Sequence, residues 1–157
     1  PKNEWMDEAL HKVWQEGLAK RLADLVQVIP SHLNVVEGVI GRDGTGFQRG
    51  RNYPLGLVIA GINMVAVDSV ASYIMGFDPL KLVYLKVASS IGLGCNDVAR
   101  LKIYIVENGE LVPCPDLESL RAKPAFRVIR DILGEPAYPL DENLAVPESK
   151  AWGNWPF

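Results

Sequence analysis

Residues 33–61 read "LNVVEGVIGRDGTGFQRGRNYPLGLVIAG", and this stretch decides the fold class. It opens and closes with short apolar runs, 33–41 and 55–61, of the continuous kind found in strands that are covered on both faces. A long loop rich in glycine and arginine joins the two runs. Because helical patterns lie on both sides, the sequence predicts an α/β domain with a mostly parallel or mixed sheet and flanking helices.

The helical patterns begin near the start of the chain. From Asp7 to Ile29, apolar residues recur at steps of three and four, which predicts one amphipathic helix. Pro30 ends it, since proline disfavours helical backbone at the preceding residue. Beyond the second apolar run, Asn63 can cap a helix over residues 64–75, and Gly76 suits the left-handed position after its last turn.

Three more elements are predicted further along the chain. Asp78-Pro79 carries the signals of a helix start, and that helix extends to about Ile91. Alternating apolar residues around Asn108-Gly109 predict a β-hairpin near the C-terminal end of the domain. Pro124 opens a last helix that Gly134 closes. We therefore expect one domain over 1–134, followed by an extended, proline-rich aromatic tail over 135–157.

Composition excludes several classes of protein. The 157 residues carry a net charge of −3 with acids and bases interspersed, which disfavours a nucleic-acid partner. Two cysteines, Cys95 and Cys114, are too few for a four-cysteine iron–sulfur cluster within this chain, and we expect both to be reduced.

No membrane segment or leader is expected. Residues 55–76 are long enough to cross a bilayer, but a span would place Asn63 and Asp68 near its centre, where an acid is costly. A buried strand followed by a helix explains the same residues. Because the chain starts at Pro1 without a basic and apolar leader, we expect a cytoplasmic protein.

The glycine loop is a candidate ligand site. Successive backbone amides around Gly44 and Gly46 can form an anion-binding nest, and neighbouring arginines can add contacts to an anion. Neither the Walker loop nor the dinucleotide fingerprint fits the spacing. A loop without a ligand is about equally compatible with the pattern. The candidate ligand-binding residues are Gly41, Arg42, Asp43, Gly44, Thr45, Gly46 and Arg49.

Acidic residues suggest a second kind of site. Asp68 lies on a helix that is otherwise apolar on all sides, so its carboxylate needs a partner. One interpretation is structural, with Asp68 accepting bonds from backbone amides or pairing with an arginine. The other is that Asp68, Asp43 and Glu37 converge on a hard divalent cation such as Mg²⁺, which prefers oxygen ligands.

The order of these motifs resembles the DUF362 family of uncharacterised proteins. The resemblance lies in "LNVVEGVIGRDGTGFQRG", "LGLVIAGINMVAVDSVASYIMGFDP", "YLKVASSIGLG" and "NDVARLKIYIV", covering roughly Pro30 to Val106. It looks like the C-terminal portion of the family, with the N-terminal part missing. Glu37 and Asp43 stand where the family has acids, Gly44 and Gly46 match its glycine loop, and Asp68 matches an acid of its helix.

The resemblance implies a redox or metabolic setting, since family members often accompany or contain ferredoxin-like iron–sulfur modules. An iron–sulfur protein or a second copy of the chain is then a possible partner. We expect a domain that binds an anionic small molecule at the glycine loop, with or without a divalent cation, as part of an enzyme. The alternative is a non-catalytic structural or protein-interaction domain.

Overall fold

The computed structural model describes residues 8–44 and 50–127, with side chains described from residue 13 onward. It is a mixed α/β fold, as predicted. The helices and strands of the described part are α1 Glu8–Val28, β1 Asn34–Gly38, β2 Gly41–Arg42, β3 Asn52–Tyr53, β4 Leu57–Gly61, α2 Met64–Ile74, α3 Val83–Ser90, β5 Tyr104–Glu107 and β6 Glu110–Pro113. Two single 3₁₀ turns, Val98–Arg100 and Glu118–Leu120, complete the described secondary structure.

The strands form three small antiparallel pairs, β1 with β4, β2 with β3, and β5 with β6. The predicted parallel pairing is not confirmed in the described residues. Parallel neighbours need a crossover connection, usually a helix. Here the ends of the glycine loop pair with each other, Gly41 opposite Tyr53, so the chain reverses and returns beside β1. The main ladder then places Asn34 opposite Gly61 and Gly38 opposite Leu57.

The ends of α1 and α2 follow the predicted signals. The side chain of Asn63 accepts a hydrogen bond from the Ala66 amide at 3.0 Å, and Gly76 has a φ of +97°. The start of α3 was predicted wrongly. Asp78 accepts from the Leu80 amide at 3.0 Å and so stabilises a separate turn, and the helix begins only at Val83.

The helix predicted from Pro124 does not begin there, because residues 124–127 are not helical. The backbone amides of this segment instead donate hydrogen bonds to residues outside it. The Phe126 amide donates to the Met75 carbonyl at 2.8 Å, and the Arg127 amide donates to Asp43 at 3.0 Å. The rest of that predicted helix and the predicted tail, residues 128–157, lie outside the described residues.

A small hairpin joins β5 and β6. Asn108 and Gly109 both have positive φ, at 52° and 85°, which is the backbone of a type I′ turn. Asparagine and glycine are the residues that tolerate this backbone best, so the turn sequence fits its geometry.

Two groups of buried side chains hold the described part together. The first centres on α2 and α3, where Leu85 is 1% exposed and Ser69 fully buried. Helix α1 packs on α3, and its small residues Ala19 and Ala23 are buried. The second consists of Tyr53, Ala122 and Phe126, whose partly buried neighbours include Leu55 and Met75. Helix α2 also covers one face of the β1–β4 pair.

Candidate functional site

The second buried group fixes the end of the glycine loop. Residues 121–127, called here the 121–127 segment, lie across the end of α2, with the Ala122 amide donating to Ile74 at 2.7 Å. The Phe126 ring stacks on Tyr53 with centroids 4.1 Å apart. The segment therefore carries Arg127 to the glycine loop, next to Asp43.

Asp43 is the most highly bonded side chain of this region. Its side chain has no exposed area and accepts five hydrogen bonds. The guanidinium of Arg127 donates through Nε at 2.8 Å and Nη2 at 3.1 Å, and the Arg127 amide donates at 3.0 Å. The Arg51 amide donates at 2.6 Å and the Tyr53 hydroxyl at 3.0 Å. Both carboxylate oxygens are thus satisfied by the protein itself.

These bonds also set the ionisation of Asp43. Burial by itself would raise the pKa of this carboxyl, because it disfavours the charged form. Hydrogen bonds from Arg127, from the two backbone amides and from Tyr53 outweigh burial and lower the pKa to about 2. Asp43 is therefore a charged, internally paired group at neutral pH.

Packing and backbone conformation explain why Gly41 and Gly44, the described glycines at the start of the loop, are glycines. A Cβ at Gly41 would lie 2.6 Å from the Phe126 ring, so only glycine allows that ring to approach. Gly44 has a φ of +91°, and its amide donates to the Arg127 carbonyl at 3.0 Å. Close packing of the loop ends against the 121–127 segment therefore accounts for both glycines.

The remaining loop candidates have varied surroundings. Arg42 donates to the Asn52 side chain at 2.9 Å across the β2–β3 pair. Arg51 lies over the Tyr53 ring, with its guanidinium carbon 5.1 Å from the ring centre. Thr45, Gly46 and Arg49 lie outside the described residues.

The three acids proposed as metal ligands occupy three different surroundings. Glu37 is exposed and accepts from the Val39 amide at 2.6 Å, Asp43 is paired with Arg127, and Asp68 lies on α2. Over residues 13–44 and 50–127, whose side chains are described, no group of three or more histidine, cysteine or acidic side chains could hold a metal ion. The structural role that we considered for Asp68, bonding to amides or an arginine, belongs to Asp43.

Arg127 is the member of this cluster that the sequence did not reveal. Its stretch has helical periodicity and lies 84 positions from Asp43. A buried carboxylate requires hydrogen-bond donors, so the sequence could predict that Asp43 has a partner. It could not predict which residue that partner is.

Asp68 instead borders a cavity of about 320 Å³ between α1, α2 and α3. No hydrogen bond or ion pair joins its carboxylate to another described residue. Burial raises the pKa of Asp68. Burial also raises the pKa of Tyr84 on α3, and the charge of Asp68 adds to that rise. The Tyr84 and Ser72 hydroxyl oxygens are 3.5 Å apart. A polar end thus borders an otherwise apolar cavity.

Substituting Asp68→Asn should keep or increase stability at neutral pH. A raised pKa means that the folded state disfavours the carboxylate, so Asp68 lowers stability once the pH exceeds the carboxyl's unfolded pKa of about 3.9. Urea unfolding at pH 7 and pH 3 measures this, with any gain over wild type present at pH 7 and absent at pH 3. A clear loss of stability at pH 7 would instead mean that the carboxylate has a stabilising partner.

The fold and site define a mixed α/β domain organised around a buried carboxylate–guanidinium pair. Residues 2–73 match the family model DUF362, described as a domain of unknown function, which confirms the resemblance over that region. The match starts earlier than the stretch on which the resemblance was based, since it includes α1, and it ends within α2. No curated protein and no solved structure matches the chain.

Two further expectations concern cysteine chemistry and membranes. Cys95 and Cys114 are both free thiols and partly buried. Of the helices in the described ranges, none has the length and apolar character needed to cross a bilayer.

Proposed function

We propose that this chain is a non-catalytic interaction domain that self-associates through one face of its β1–β4 sheet. The observation that carries the proposal is an apolar sheet face without a covering layer among the described residues. Side chains alternate between the two faces of a strand, and α2 covers the inner face. The other face, called the outer sheet face, consists of Leu33, Val35, Glu37, Val58, Ala60 and Ile62.

Exposure on this face is high for aliphatic side chains. Leu33 is 65% exposed, Val35 58%, Val58 60% and Ile62 81%. Within the strands, Val35 lies opposite Ala60 and Glu37 opposite Val58, so the apolar side chains form one patch. The Glu37 carboxylate accepts a hydrogen bond from the Val39 amide, just beyond the end of β1. The patch is therefore suited to a second apolar layer about 10 Å away.

A second copy of the chain can supply that layer. Complete burial of a valine, leucine or isoleucine contributes about 1.5–3 kcal/mol, so eight side chains at this exposure, four from each copy, contribute roughly 8–16 kcal/mol. Association costs about 4–15 kcal/mol. Because these two ranges overlap, we expect at most a weak dimer; a net gain of about 4–8 kcal/mol corresponds to a dissociation constant in the millimolar to micromolar range.

Sedimentation velocity from about 10 µM to about 1 mM tests this proposal. We expect the wild-type chain to shift from monomer to dimer, and Val58→Lys to remain monomeric because it places a charge in the interface. Val106→Lys is the matched control, since Val106 is 70% exposed on the β5–β6 hairpin. A wild-type chain that is monomeric at every concentration, or a Val58→Lys variant that dimerises like wild type, would contradict the proposal.

The anionic-ligand hypothesis for the glycine loop stays a prediction, as do the divalent cation, the enzymatic role and the iron–sulfur partner. Its support is weaker in the described part of the loop. Asp43 already accepts from the Arg51 amide and from Arg127, so the protein's own carboxylate uses donors that an anion would need.

A further inference from the structure

We propose that the cavity between α1, α2 and α3 binds a small organic cation, an ammonium group on an apolar body. This inference does not depend on the proposed self-association, because the cavity and the outer sheet face are different surfaces. The cavity volume of about 320 Å³ lies at the lower end of the range of about 300–1,000 Å³ found for small-molecule sites.

The lining explains the apolar body of the ligand. Three helices contribute to it, and most of its side chains are aliphatic, among them Leu22, Leu25, Val26, Val65 and Leu85. Helix α1 packs on α3, and Ala19 and Ala23 of α1 line the cavity, where their small side chains leave space for a ligand. An apolar group of matching size would contact all three helices at once.

The charge of the ligand follows from Asp68. Among the described residues that line the cavity, Asp68 is the only acidic or basic one of the Asp, Glu, Lys, Arg and His types, and no described residue pairs with it. A carboxylate at an apolar surface is best stabilised by a cation that also donates a hydrogen bond. A primary or secondary ammonium does both, and a carboxylate or phosphate group would be repelled.

The Tyr84 hydroxyl adds a second polar contact at the same end. Tyr84 lines the cavity beside Asp68. Burial raises the pKa of the Tyr84 hydroxyl, and the charge of Asp68 raises it further. The hydroxyl can accept a hydrogen bond from an ammonium group while Asp68 provides the charge. Discrimination is therefore expected between an amine and an alcohol of the same shape.

The test uses three probes that share one apolar body: 2-phenylethylammonium, 2-phenylethanol and 3-phenylpropionate. Binding to the full chain is measured by amide chemical-shift titration and by calorimetry. We expect saturable binding of the ammonium, at least tenfold weaker binding of the alcohol, and no binding of the carboxylate. Shifts should concentrate on α1, α2 and α3.

Variants locate the site. Asp68→Asn should weaken ammonium binding at least tenfold and leave the alcohol unchanged. Glu37→Gln removes the same charge from an exposed position and should leave both unchanged. Ala88→Leu places a larger side chain in the cavity lining and should weaken the binding of both probes. Equal binding of the three probes, no saturable binding, or wild-type affinity in Asp68→Asn would overturn the proposal. Binding of a lysine-bearing helical peptide at α1, α2 and α3, without binding of 2-phenylethylammonium, would overturn it in favour of a peptide groove.

Discussion

Replacing Asp43 by alanine is expected to lower the free energy of unfolding by about 3–5 kcal/mol, the usual loss when one member of a buried ion pair is removed. Asp43 has no exposed side-chain area, and five hydrogen bonds converge on its two oxygens. Alanine leaves the Arg127 guanidinium, the Tyr53 hydroxyl and two backbone amides without their acceptor. Each unpaired buried donor costs about 1–3 kcal/mol, and partial access to water reduces the sum.

Urea unfolding at pH 7 measures this loss. The matched control is Glu37→Ala, which removes an acid from the same hairpin but at an exposed position with a single bond to the Val39 amide. We expect that control to cost about 1 kcal/mol or less. If Asp43→Ala and Glu37→Ala lose the same small amount, then the Asp43 cluster is not a stabilising centre of the fold.

The pH dependence supplies an independent check on the same residue. The pKa of Asp43 falls from 3.8 to about 2 on folding, so its ionisation contributes roughly 2–2.5 kcal/mol. Because the folded pKa is the lower one, this contribution is complete above about pH 5, well above the unfolded pKa, and is lost as the pH falls through about 2. Asp43→Ala should therefore show a flatter stability profile than wild type between pH 4 and pH 2.

The two aspartates show what a sequence can and cannot predict. Sequence reasoning identified both as unusual, since one flanks a glycine loop and the other lies on an apolar helix. It left two roles open for Asp68, internal pairing or a shared metal site, whereas the structure gives the internal partners to Asp43. A pattern reports that a carboxylate is buried, but its partner Arg127 lies 84 positions away and no local spacing indicates it.

The helices were likewise predicted better than the pairing of the strands. Helix α2 was predicted to within a residue because its signals, Asn63 at one end and Gly76 at the other, are local. The apolar runs of β1 and β4 were recognised for the same reason. Their antiparallel pairing was not, since it depends on how the glycine loop folds back, and Gly41 pairs with Tyr53 across that loop.

The outer sheet face is apolar because the two strands are continuous apolar runs. Continuous apolar runs predicted strands covered on both faces, and the described residues cover one. The sequence pattern thus predicts a covering layer that the described residues do not supply. A second copy, as proposed above, is the simplest source of that layer because it brings an identical apolar patch.

Gly76→Ala is expected to destabilise the protein by about 2–5 kcal/mol, for two separate reasons. The backbone of Gly76 has a φ of +97°, where a residue with a Cβ loses about 1–2 kcal/mol. The new Cβ would also contact the Cβ of Ala125 and lie 2.9 Å from its Cα, and such overpacking costs about 1–3 kcal/mol.

Gly92→Ala separates these two contributions. Gly92 has a similar φ of +82°, and no atom lies within 4 Å of the place that an added methyl group would take, so it bears the backbone cost alone. Thermal and urea unfolding of both variants should give a loss of about 1–2 kcal/mol for Gly92→Ala and a larger one for Gly76→Ala. Equal losses would mean that the 121–127 segment does not press against the end of α2.

The methyl group at position 76 should also act on Asp43 at a distance. Ala125 belongs to the 121–127 segment, which the Phe126 amide ties to Met75 and which ends at Arg127. Displacing Ala125 therefore weakens the pairing of Arg127 with Asp43. Residues that act through one shared segment give non-additive effects. We expect the double variant of Asp43→Ala and Gly76→Ala to lose clearly less stability than the sum of the single variants, whereas Asp43→Ala with Gly92→Ala should be additive.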